Sequence, residues 1–172
     1  MLNLMAMALL AAQPMAESVE ELACVMDQVS PAEAGVIADD MLAGEGATTG
    51  AGFGGFVGHV TTCADRYGWD EARTVRISSA TLGLIGTREF RRRLTAAGLD
   101  VAAIDAWFDE QDDEFRTHAF IDLDQETQEQ DLATLFDGPV SEADGEAHAE
   151  LVGGYLAARV VTLRVAQGLP LE

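Results

Sequence analysis

Apolar residues recur along this chain at intervals of three and four, the spacing that gathers them on one face of a helix. Val19, Leu22, Met26 and Val29 form a first stripe, opened by Ser18 with Glu21 three positions on, the pattern of a capping box. Ser30-Pro31-Ala32-Glu33 repeats the box with proline at the first helical position. The helix it starts carries Val36, Ile37, Met41 and Leu42 and stops at Gly44. Seven glycines follow between positions 44 and 58, which predicts a flexible loop there. A third helix then shows Phe56, Val57, Val60, Ala64 and Tyr67 on one face.

That helix ends at Gly68-Trp69-Asp70, and the same punctuation returns at Gly98-Leu99-Asp100. In each, glycine can close one helix and aspartate can cap the next, so both read as short helix–helix turns. Between them, residues 74–78 have the alternation of a strand, but no hairpin partner is in sight and a helix over 71–97 is the better reading. Val101, Ile104, Phe108, Phe115 and His118 mark a fifth helix, with Asp105, Asp109, Asp112 and Asp113 off its stripe. A short helix is expected over 128–136, before Gly138-Pro139. Ser141-Glu142-Ala143-Asp144 then caps a last helix, apolar round much of its circumference and therefore central, which ends near Gly168. The expected fold is all-α, a single-domain bundle of six or seven helices.

Length and composition agree with one globular domain, at 172 residues and 48% hydrophobic. Charge narrows the function. Thirty acids face ten arginines, with no lysine, so chemistry that needs a lysine amine is excluded. A net charge of −20 argues against a nucleic-acid partner and against anionic membrane surfaces. The distribution is uneven. Residues 66–93 hold seven arginines against Asp70, Glu71 and Glu89, a net of +4, whereas 100–150 hold seventeen acids against Arg116, a net of −16. The simple expectation is that the basic helix packs beside the acidic one; an arginine patch for an anionic ligand is the alternative.

Residues 4–12 form an apolar run followed by Gln13-Pro14-Met15-Ala16 and the acidic Glu17, resembling the core and cleavage zone of a secretory signal peptide. The run is too short to span a bilayer. It lacks a basic side chain before it, and Pro14 stands where a small residue is usual. The expected layout is a signal peptide over 1–16 and one helical domain over 17–172, periplasmic or secreted, with the cytoplasm as the alternative. No later stretch is apolar enough to span a membrane. Cys24 lies opposite its helix's apolar stripe, among Glu20, Asp27 and Gln28, and Cys63 lies at the edge of the next but one. Outside the cytoplasm, pairing explains both positions, and a Cys24–Cys63 disulfide is expected between helices.

Candidate chemistry is sparse. Gly50 to Gly55 match G-x-G-x-x-G without the preceding strand that a dinucleotide site needs. Asp122-Leu123-Asp124 opens like a calcium loop, but Thr127 and Ala133 stand at its required glycine and closing glutamate. Glu114, His118 and Asp122 share a helix face, as do Asp144 and His148; two such helices converging would make a metal site. His59 and Cys63, four apart, suit a thiolate–imidazole pair, though nothing marks an oxyanion site. No cofactor and no catalytic residue is implied. The preferred reading is an exported, non-catalytic, acidic helical protein with a binding or structural role, its partner a protein or a cation. The alternatives are a metal-binding protein or enzyme built on Glu114, His118, Asp122, Asp144 and His148, and a cytosolic acidic interaction protein.

Overall fold

Ser30 starts the second helix as its sequence predicts. Its hydroxyl accepts from the Glu33 amide at 3.2 Å while the Glu33 carboxylate accepts from the Ser30 amide at 2.9 Å, so two first-turn donors are satisfied reciprocally. The same local logic recurs down the chain in a computed structural model that describes residues 19–43, 50–119, 140 and 142–169. Seven helices, and no strand, occur among the described residues: α1 (Val19–Met26), α2 (Pro31–Leu42), α3 (Ala51–Tyr67), α4 (Glu71–Ala96), α5 (Val101–Glu110), α6 (Asp113–His118) and α7 (Glu142–Gln167). The all-α bundle is the observed architecture. The expected signal peptide, the Ser18 and Ser141 caps and the helix over 128–136 lie outside the described residues.

Both predicted turns form. Gly68 and Gly98 take positive φ, 66° and 87°, and the next amides reach back to Ala64 and Leu94 carbonyls at 3.1 Å. Asp70 and Asp100 then cap α4 and α5 by accepting from the Arg73 and Ala103 amides.

The two 26-residue helices, α4 and α7, make the largest interface; α4 is about 39 Å long at 1.5 Å per residue, and α7 is kinked at His148. They run antiparallel, because Gly83 meets Ala158 and Thr162 while Phe90 meets Gly154. A methyl at Gly83 would stand 2.5 Å from Thr162 Oγ1 and 3.1 Å from the Ala158 carbonyl, so the backbones approach closely only because glycine is there. Around this axis Phe90, Leu94, Ile104, Phe108, Tyr155 and Leu156 build one buried cluster. Val25, Ile37, Phe56, Val60, Cys63, Ile77 and Ile85 build a second one, under α1, α2 and α3. The last helix is central, as its apolar circumference implies.

Three expectations need correction. The glycine-rich loop is shorter than 44–58, since α3 begins at Ala51. Asp40 of α2 accepts from the Phe53 amide at 3.1 Å and so caps α3 from a neighbouring helix. A methyl at Gly52 would lie 2.7 Å from the Ile37 amide, so that glycine lets α2 and α3 touch. The single fifth helix is two, because Gln111 is extended and the Asp112 carboxylate caps a new helix at the Phe115 amide, 2.8 Å away. Finally, α1 departs from its expected stripe at its start: Leu22, Met26 and Val29 pack against the second cluster as predicted, but Val19 does not. Val19 is 84% exposed, whereas Glu21 and Val25 are buried.

Candidate functional site

Two tethers hold α1 in place. The Cys24 and Cys63 sulfurs lie at disulfide-bonding distance, with Cα atoms 6.1 Å apart, which joins α1 to α3. Gln28 Nε2 donates to the Cys24 carbonyl at 2.9 Å beside them. The Glu21 carboxylate accepts from Trp69 Nε1 at 2.7 Å and from Arg73 Nε at 2.8 Å, which joins α1 to the start of α4. Both tethers act on the face that the apolar stripe left as polar.

So held, the end of α1 and the start of α2 stand off from α4 and leave a cavity of about 480 Å³. This is within the usual range of small-ligand sites. Its apolar lining comes from Met26, Val29, Pro31, Ala34 and Ile85, and its polar lining from Arg88, Glu89 and Arg92. Ile85, Arg88, Glu89 and Arg92 share one face of α4 by helical spacing. The Ser30 cap and Pro31 fix where α2 begins, and hence where its first turn meets the cavity.

The electrostatics of that wall are ordered. Glu89, 6% exposed, accepts from Arg92 at 2.6 and 2.9 Å and from Arg93 Nε at 2.9 Å. The Arg92 hydrogen bond first, and that of Arg93 after it, hold its carboxyl down to about 2 against the opposing effect of burial. Arg93 is in turn bound to Asp39 at 2.6 Å and to the Gly35 carbonyl at 2.8 Å, so it ties α4 to α2. Arg88 is exposed and has no ion-pair or hydrogen-bond partner among the described residues. Among the described residues the wall therefore offers one committed acid, one half-committed cation and one free cation.

The other sequence candidates fall elsewhere. His118 is exposed, and its Nδ1 lies 3.1 Å from the Glu114 carbonyl, not from its carboxylate. His148 sits at a kink in α7, with φ −130°. Asp122 and the Asp144 side chain lie outside what is described, and no cluster of three metal-ligating side chains occurs among the described residues. Cys63 cannot act as a thiolate while paired with Cys24, and His59 instead meets Glu33 Oε1 at 3.2 Å. The Ser30 amide first, then the Ser30 hydroxyl and His59, hold the Glu33 carboxyl down to about 2. The Gly50–Gly55 pattern is a helix start and an interhelical contact.

The expectation that basic α4 packs beside the acidic stretch holds at Arg91, which pairs with Asp105. Arg73 and Arg93 turn instead to Glu21 and Asp39. Asp105 and Asp109 are met by Arg159 of α7, at 2.7 Å each. Arg88 and Arg92 of the arginine-rich stretch line the cavity, but the sequence does not announce the cavity itself because its walls come from three helices. The signal available was the apolar–basic face Ile85, Arg88, Arg92. No helix among the described residues is long and apolar enough to cross a membrane. No protein-family model, curated protein or solved structure matches the chain.

Proposed function

We propose that this is an exported, non-catalytic binding protein whose ligand site is the cavity between α1, α2 and α4. The observation that carries the reading is the combination of an apolar lining with the exposed Arg88, which no other described residue engages, at its edge. A lining of that kind fits binding by burial of an apolar body, with few polar groups to orient it. The paired cysteines and the signal-like start of the chain favour an oxidising compartment. Fractionation of the producing cell tests export, with the protein expected outside the cytoplasm.

Binding is tested by fluorescence titration with anilinonaphthalene sulfonate, an apolar dye bearing one anionic group. The native protein should give a saturable, one-site enhancement. Ala32 is exposed and lines the cavity, so Ala32→Trp fills the site from outside without disturbing the core. The enhancement should be lost in that variant while its circular dichroism and melting temperature stay native. Equal enhancement in both proteins would remove the cavity as the site.

A further inference from the structure

We infer that the ligand of this cavity is a small amphiphile, an apolar body carrying a single anionic head, an inference that rests on the binding role proposed above. Charge complementarity at the cavity points to it. The chain as a whole carries −20, and a soluble anion meets repulsion over most of it. The cavity lining reverses that sign, with Arg88 and Arg92 against Glu89. Glu89 is already held by Arg92 and Arg93, so it does not compete for an incoming group. No described residue engages the Arg88 guanidinium, and Arg92, with 67% of its side chain exposed, keeps donors in reach of solvent.

The start of α2 supplies shape rather than charge: Pro31, Ala32 and Ala34 line the cavity, while the Ser30–Glu33 capping box already occupies the first-turn donors. Beneath the two guanidiniums Met26, Val29, Ala34 and Ile85 provide no polar partner, so only a head group can be satisfied and the rest of the ligand must be apolar. A cationic head would meet Arg88 and Arg92, and a neutral one would leave Arg88 without a counter-charge. Carboxylate and phosphate heads share the required chemistry.

Isothermal titration of the full chain with decanoate, decyl phosphate, decan-1-ol and decyltrimethylammonium, each below its micellar concentration, tests this. Both anions should bind roughly tenfold or more tightly than the alcohol, a charge-assisted contact's worth of affinity, and the ammonium should not bind. Arg88→Gln should weaken the anions about fivefold and leave the alcohol unchanged; because Arg88 holds no other residue among the described ones, its circular dichroism and melting temperature should stay native. The stronger anion identifies carboxylate or phosphate as the head. Alcohol binding as tight as decanoate, or decanoate binding indifferent to Arg88→Gln, would overturn the inference while leaving the cavity as a site, provided Ala32→Trp still abolishes it. If no compound binds in a way that Ala32→Trp removes, the binding reading falls too.

Discussion

The buried hydroxyl of Tyr155 donates to Asp105 Oδ1 at 2.6 Å, and through this bond α5 is fixed against α7. The same carboxylate receives Arg159 at 2.7 Å and pairs with Arg91, which also donates to the Tyr155 oxygen at 2.8 Å. Two guanidiniums, a carboxylate and a phenol thus satisfy one another where three helices meet, and a gap in such a network leaves a costly buried group.

Burial first, then the bond to Asp105, pushes the Tyr155 pKa up to about 12. Its folded value lies above the unfolded one, so the stabilisation is complete below about pH 10 and is lost as pH rises through about 12. Tyr155→Phe should cost about 1–2 kcal/mol near neutrality and should flatten the alkaline limb of the stability profile. Urea titrations of both proteins from pH 7 to 11.5 check this; parallel profiles would contradict it.

Acid should weaken a different joint. Glu89 has a folded value of about 2 against an ordinary 4.5, so its contribution is complete above about 4.5 and is lost as pH falls towards 2. Glu89→Gln should cost about 2–3 kcal/mol at pH 7, with the deficit shrinking in acid. A deficit that stays constant down to pH 2.5 would show that the carboxylate charge is not what matters.

Paired glycine substitutions test the close approach of α4 and α7. Gly153 has open space where a methyl would go, so Gly153→Ala should stabilise by about 0.5–1 kcal/mol through helix propensity. At Gly83 the same change meets Thr162 and the Ala158 carbonyl, and the strain should cost about 1–3 kcal/mol. Thermal melts of the two variants should move in opposite directions.

Reduction of Cys24–Cys63 should release α1 from α3, across a sequence separation of 39 residues. By loop closure alone that costs about 3–4 kcal/mol. Because α1 supplies Met26 to the cavity, ligand affinity should fall with stability. Thiol counting on denatured, unreduced protein should find none; two reactive thiols would refute the pairing.

Features encoded within a few residues were legible in the sequence. The Ser30–Glu33 box, the Gly68 and Gly98 turns and the long helix after Asp70 are all set by neighbours in the chain. Features set by distant partners were not. Glu21 turns inward for Trp69 and Arg73, 48 and 52 residues away, and no pattern inside α1 announces it. The early start of α3 depends on Asp40, on another helix. The break at Gln111 is legible locally even though one apolar stripe runs across it, because Asp112 three residues before Phe115 is itself a capping signal. The cavity belongs with the distant features: each lining residue looks like an ordinary surface or core position until α1 and α2 are placed against α4.

Amide chemical-shift mapping tests most directly whether this cavity is where the protein binds its ligand. On titration of labelled protein with decanoate, the largest shifts should fall at Met26, Ala32, Ala34, Ile85, Arg88 and Arg92, with α5 and the central turns of α7 little changed. Saturating shifts centred on α5, α6 or α7, or none at any concentration below the micellar limit, would contradict the account.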